Sequence, residues 1–150
     1  MNLRPFYFLL LIMTFCSLPA FPSDTLSPAG RWKTVDDKSG KPKSIMNIVL
    51  RGDTLVATID SLYREPGEEP DPVCDKCTDW RKNMKVKGLT ITDAMVRRGN
   101  EWSGGRITDP DNGKAYRCIV KLLDKGTQLD VHGYIGFAII GRSQYWYRVK

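Results

Sequence analysis

From Gly30 onward the chain alternates apolar and polar residues in short runs, and turn-forming residues interrupt them at short intervals. The pattern predicts eight strands: Arg31–Asp36, Ser44–Arg51, Thr54–Arg64, Lys87–Arg97, Glu101–Thr108, Ala115–Leu123, Thr127–Gly136 and Arg142–Val149. Within them Met46 and Ile48, Leu55 and Ile59, Tyr116 and Val120, and Val131 and Ile135 fall on common faces; with Ile91 they form the predicted interior. No segment holds an apolar stripe of helical period over ten positions. Gly52-Asp53, Arg98-Gly99-Asn100 and Asp124-Lys125-Gly126 are of hairpin length, so successive strands should be antiparallel neighbours. The reading is all-β: an eight-stranded antiparallel up-and-down barrel, with a β-sandwich of the same strands as the alternative.

Residues 1–20 read differently. A basic start at Met1–Arg4 precedes an apolar run from Phe6 to Phe15, broken only by Thr14, and a Pro/Ser-containing stretch follows. That is the layout of a secretory signal, with cleavage expected after Ala20 or Ser23. The run is too short for a bilayer, which needs about 20 apolar residues. A lipid anchor at Cys16 is the alternative, disfavoured by the bulky Phe15 before it. Residues 24–150 are then one domain, periplasmic or secreted, with no further run long enough for a membrane helix.

The formal charge is +6. Without residues 1–20, which hold Arg4 and no acid, 22 cations face 17 acids, leaving +5. Residues 65–80 depart from this, with six acids against Lys76 alone. An exported basic domain of this kind meets anionic lipid or polysaccharide, or uses its charge simply for solubility. Nucleic-acid recognition motifs are absent, and nothing in the sequence calls for a cofactor.

A more specific pattern is spread along the domain: Gly30-Arg31-Trp32, Cys74-Asp75-Lys76-Cys77, Trp102-Ser103-Gly104-Gly105-Arg106-Ile107, Asp109-Pro110-Asp111-Asn112-Gly113-Lys114 and Gly133-Tyr134-Ile135-Gly136. Gly30-x-Trp32 is similar to the first-strand motif of lipocalins and their calycin relatives. The whole series resembles a family of small exported bacterial proteins catalogued as a domain of unknown function. The resemblance implies a lipocalin-like barrel whose closed end stacks Trp32 beneath an arginine of the last strand, Arg148, or else Arg142. It implies no established activity.

Three cysteines follow the signal. In an oxidising compartment Cys74 and Cys77 read as a structural disulfide stapling the acidic loop 65–88. A thiol-exchange centre is a second reading, opposed by Asp71, Asp75 and Asp79, which disfavour a thiolate. Zinc held by Cys74, Cys77, Cys118 and His132 is a third, and a bridge from Cys118 to one of the pair a fourth. Cys118 shares a face with Tyr116 and Val120 and reads most simply as a buried apolar residue.

Asp109-x-Asp111-x-Gly113 echoes a calcium loop, but Val120 stands where the bidentate glutamate belongs, and Asn112-Gly113 suits a tight turn. The loop from Glu65, rich in proline and glycine, reads as a solvated lid or linker. Catalytic constellations are lacking: Glu101 has no partner carboxylate, and His132, the only histidine, shares a polar face with Gln128, Asp130 and Tyr134. The aromatic residues carry the candidate ligand site. Trp102, Arg106, Tyr116 and Tyr63 would offer an apolar wall and a cation to a carboxylate-bearing apolar molecule, if Trp102 and Arg106 point inward. Otherwise Trp102 is core and Arg106 a rim residue. The expected function is an exported, non-enzymatic carrier of a small apolar or amphipathic ligand. The alternative is an envelope or host-facing interaction module with a filled barrel and an acidic docking loop.

Overall fold

The structure, a computed structural model, describes residues 26–150; the predicted signal segment, Cys16 and both cleavage positions lie outside them. Ten strands follow in order: β1 Gly30–Val35, β2 Pro42–Arg51, β3 Thr54–Leu62, β4 Thr92–Asp93, β5 Met95–Arg98, β6 Glu101–Ser103, β7 Arg106–Asp109, β8 Lys114–Leu123, β9 Gln128–Tyr134 and β10 Gly141–Arg148. A 3-10 turn at Asp124–Gly126 joins β8 to β9. Every pairing between strands is antiparallel. The ring runs β1–β2–β3–β5–β6–β8–β9–β10 and back to β1, so eight strands close an up-and-down barrel and no sandwich edge is left.

The two extra strands are halves of predicted ones. Glu101–Thr108 divides into β6 and β7 at Gly104-Gly105, and the strand opposite divides into β4 and β5 at Ala94, whose φ is +51°. The breaks coincide for a steric reason. A Cβ on Gly105 would lie 2.0 Å from the Asp93 carbonyl oxygen, so only glycine lets the two backbones press together where they kink. The predicted strand from Lys87 starts late for a related reason. Residues 88–91 run beside β3 through Gly88 N–H to Ile59, Leu89 carbonyl to Ile59 N–H, and Ile91 N–H to Ala57, an irregular ladder that becomes regular only at Thr92.

Inward positions fill one half of the barrel. Met46, Ile48, Leu55, Ile59, Ile91, Val120 and Val131 are buried, along with Met95, Trp102, Leu129 and Trp146. Tyr116 is half-buried. Ile135 departs from expectation: β9 ends at Tyr134, and Ile135 passes into the β9–β10 hairpin with 67% of its surface exposed. One end of the barrel is shut. There Trp32 is fully buried, its indole N–H donates to the Pro28 carbonyl at 2.8 Å, and the Arg148 guanidinium lies 4.2 Å from its ring centroid. Arg148 also donates to the carbonyls of Gly126, Ala29 and Ser27, tying the chain ahead of β1 to the last strand. Gly30 is the close neighbour of this group, since a Cβ there would meet Arg148 Nη1 at 2.8 Å.

The acidic segment is solvent-exposed from Glu65 to Asp71, and its second half is ordered as a lid rather than a linker. Val73 and Lys85 form a bridge, Cys74 and Cys77 are joined by a disulfide, and Arg81 is wholly buried. Arg81 donates to both Asp93 carboxylate oxygens at 2.7 Å, to the Thr90 carbonyl at 2.8 Å and to Asp79. The result is a folded flap tied to β4. Its backbone at Lys76 lies against the β7–β8 turn, where a Cβ on Gly113 (φ +71°) would come within 2.0 Å of the Lys76 oxygen.

Candidate functional site: the mouth of the barrel

Up-and-down order puts four connections at the end opposite Trp32: the β1–β2 hairpin, the flap, the β7–β8 turn and the β9–β10 hairpin. Between them the barrel opens into a cavity of about 420 Å³. Its floor and walls are apolar, made by Ile59, Ile91, Ile107, Val131 and Trp146, with Val86 contributed by the flap. Thr34, Ser44, Thr108 and Tyr116 add polar atoms, and the rim carries Asp36, Asp37, Lys43, Asp109, Asp111 and Arg142.

The polar atoms divide by whether the protein satisfies them. Thr34 Oγ1 and Ser44 Oγ lie 2.7 Å apart, and Thr34 Oγ1 also accepts the Ser44 N–H. Tyr116 Oη accepts from Asn112 at 3.2 Å. Trp146 and Thr108 differ: they are 3% and 2% exposed, and Trp146 Nε1 and Thr108 Oγ1 find no hydrogen-bond partner among the described residues. Trp146 lies on the inward face of β10, two residues before Arg148. A buried donor without an acceptor costs about 1–3 kcal/mol. Neither atom has appreciable accessible surface, so this unused hydrogen-bonding capacity lies within the cavity wall rather than on its face.

Ion pairs strap the rim. Lys43 at the start of β2 pairs with Asp111 in the β7–β8 turn at 2.5 Å, joining elements that are not neighbours in the ring. Burial opposes the charged form of Lys43, but the hydrogen bond and charge of Asp111, with Asp109 and Asp36 behind it, raise its pKa above the ordinary lysine value. On the other side Arg142 pairs with Asp37 at 3.1 Å, and Gln144 donates to the same carboxylate.

The residues expected to bind ligand are not brought together. Tyr116 lines the cavity. Trp102 is 4% exposed and packs in the filled half, paired across to Val120, with Arg97 5.8 Å from its ring centroid. Arg106 faces outward beside Arg117 on β8. Tyr63 follows β3 with 49% of its surface exposed, its backbone N–H bonded to Lys43. The cavity residues outside that expectation are Thr108, Trp146 and Lys43. Trp146 had a signal in the sequence, because placing Arg148 inside the barrel also places Gln144 and Trp146 inside by the period of two. The Lys43–Asp111 contact had none, since it depends on how the ring closes.

The cysteines have distinct states. Cys74 and Cys77 are bonded to each other, which leaves neither thiol for zinc or for a bridge to Cys118. Cys118 is a buried free thiol, pushed up to about 12 by burial and then by the Asp130 charge. His132 is held on the outside of β9 between Ser143 Oγ (3.0 Å) and the Ala138 carbonyl (2.8 Å).

A closed eight-stranded antiparallel barrel, shut at one end by a Trp–Arg stack and hollow at the other, defines a lipocalin-like protein. A solved structure agrees on the fold: protein HP1028 from the human pathogen Helicobacter pylori, which belongs to the lipocalin family, matches with a TM-score of 0.69 over 83% of this chain and 84% of its own, at 17% identity. No curated protein matches the chain. Residues 30–148 match the family described as uncharacterized protein conserved in bacteria (DUF2147), and the chain belongs to that family.

Proposed function

We propose that this is an exported, non-enzymatic binding protein that carries one small amphipathic molecule in the mouth of its barrel. The observation that carries the reading is the cavity of about 420 Å³ with an apolar floor. Ligand pockets of small molecules run from about 300 to 1,000 Å³ and are mostly apolar, with a few polar groups that orient the guest. The apolar wall takes a hydrocarbon or ring portion, and polar groups of the guest meet Tyr116 and the Lys43–Asp111 pair at the rim. The charge on the guest is not set by Arg106, which faces away. Export rests on the basic-then-apolar start of the chain and on a Cys74–Cys77 disulfide of the kind that persists in oxidising compartments.

Native mass spectrometry of the protein taken from its own compartment tests this, with a second spectrum after denaturation. The expected result is an additional mass of a few hundred daltons that vanishes on unfolding. A bare chain in both spectra, together with no change in tryptophan emission when neutral and anionic amphiphiles are titrated in, overturns the carrier reading. The denatured mass should lie two hydrogens below that of the fully reduced chain.

A further inference from the structure

The hairpin between β9 and β10 is the most apolar exposed part of the described residues. Ile135, Phe137, Ile139 and Ile140 are 67%, 77%, 93% and 69% exposed, grouped within six residues. Exposed apolar residues scattered singly need no account, but a contiguous cluster at one tip marks a surface that is covered in use. None of these four side chains lines the cavity.

Beside this tip lies a charge arrangement that the fold alone leaves unfavourable. Arg106 on β7 stands directly opposite Arg117 on β8, and Arg117 stands opposite Tyr134, the last residue before the hairpin. Like charges directly opposite each other on a sheet destabilise it. Neither arginine has an ion pair or side-chain hydrogen bond among the described residues. Asp93, which faces Arg106 from β4, has both carboxylate oxygens bound by Arg81. Arg106, Arg117 and Tyr134 line one depression of about 290 Å³ with Gly104 and Gly105. Two guanidiniums and a phenol around a gap match an anion with several oxygens.

We propose that this side of the barrel docks on an anionic phospholipid bilayer. Phe137, Ile139 and Ile140 enter the boundary between headgroups and acyl chains, while Arg106 and Arg117 hold a lipid phosphate. Charge complementarity selects the bilayer over a second copy of the chain, whose matching face would bring the same two arginines against each other. Of the four rim acids, Asp37 is paired with Arg142 and Asp111 with Lys43, while Asp36 and Asp109 share only the Lys43 charge. Docking therefore rests on the arginine pair and the hairpin tip rather than on the charge of the mouth. The docked orientation brings the mouth to the lipid surface, since Gly133 and Arg142, which flank the hairpin, also line the cavity. The inference stands whether or not the cavity carries a guest.

Sedimentation with vesicles tests it, using the protein as exported and vesicles of phosphatidylcholine with and without one quarter phosphatidylglycerol. Binding should need phosphatidylglycerol and weaken with salt. Arg106→Gln with Arg117→Gln should weaken it about 25-fold, at about fivefold per cation near an anionic surface. Phe137→Ser with Ile139→Ser should weaken it at least about tenfold while leaving thermal unfolding unchanged, because both side chains are exposed. Phe137→Trp should shift its emission to the blue on vesicles. No binding to phosphatidylglycerol vesicles overturns the proposal, as does binding that neither double variant alters. So does stabilisation by inorganic phosphate without vesicle binding, which would make the arginine pair a site for a free anion. A dimer in sedimentation velocity that the loop variant dissolves, with no vesicle binding, would assign the tip to self-association.

Discussion

Arg81 is the residue on which the flap depends. A charged side chain with no exposed surface survives because four of its five N–H donors end on oxygen: two on Asp93, one on the Thr90 carbonyl and one on Asp79. Arg81→Met should cost roughly 2–4 kcal/mol in urea unfolding, somewhat below the ~3–5 kcal/mol of a wholly buried pair because both carboxylates remain partly wet. Acid reads the same contact. Desolvation acts to raise the pKa of Asp79, but the Arg81 backbone N–H and then its charge win and hold it below the usual value. A carboxyl depressed in the fold adds stability above its unfolded pKa of about 3.9, and that stability is lost as pH falls through the folded pKa. Arg81→Met should therefore flatten the acid limb of the stability curve. Cys118 gives a chemical check at the same scale. With its pKa near 12 the thiol is protonated at pH 8, so a maleimide should label it only after denaturation. Fast labelling of the native protein would mean that the barrel opens there.

At the scale of elements, the strand pattern was readable because the faces are chemically different: Met46 and Ile48 against Asn47, or Val120 against Lys121, give the period of two directly. The kinks were not readable as kinks. Gly104-Gly105 was visible, but its reason is the Asp93 backbone from another strand, which no local pattern contains. The order within the flap was not readable for the same cause, since it comes from Arg81 reaching forward to Asp93 and from contact with the β7–β8 turn. The Cys74–Cys77 bond itself closes a short loop, with a sequence separation of 3, so its effect on the unfolded chain is small. Cys74→Ser with Cys77→Ser should cost about 2 kcal/mol by the loop-entropy relation and leave the barrel folded. Complete unfolding at 25 °C would show that the flap, not the ring of strands, nucleates the domain. Lys43 and Asp111 act on the mouth rather than on the core. The pKa of Lys43 is raised, so the pair's contribution is present below the unfolded lysine value of about 10.4 and fades as pH rises through the folded one. Lys43→Met should speed guest exchange at neutral pH and erase any acceleration seen in wild type above pH ~10.5, measured by stopped-flow tryptophan emission.

The whole molecule is two half-barrels with opposite design. The lower half meets ordinary rules of packing: large side chains interdigitate, and the Trp32–Arg148 stack closes the end with hydrogen bonds to four backbone carbonyls. Buried groups without a hydrogen-bond partner among the described residues occur in both halves: Trp102 Nε1 in the filled half, and Trp146 Nε1 and Thr108 Oγ1 beside the cavity. Thr108 and Trp146 are among the cavity-lining residues and Trp102 is not, which makes Thr108→Val informative. Valine keeps the shape of threonine and its strand preference, and removes a hydroxyl that has no partner. If the hydroxyl is held for a guest, the variant should gain about 1–2 kcal/mol in urea unfolding of the empty protein. The same variant should lose occupancy in native mass spectra of material from the native compartment, so that stability and loading move in opposite directions. A carrier site predicts that inverse relation, whereas ordinary core packing predicts that the two fall together. Destabilisation of the empty protein by Thr108→Val would therefore reassign Thr108 from the floor of a binding site to the framework of the barrel.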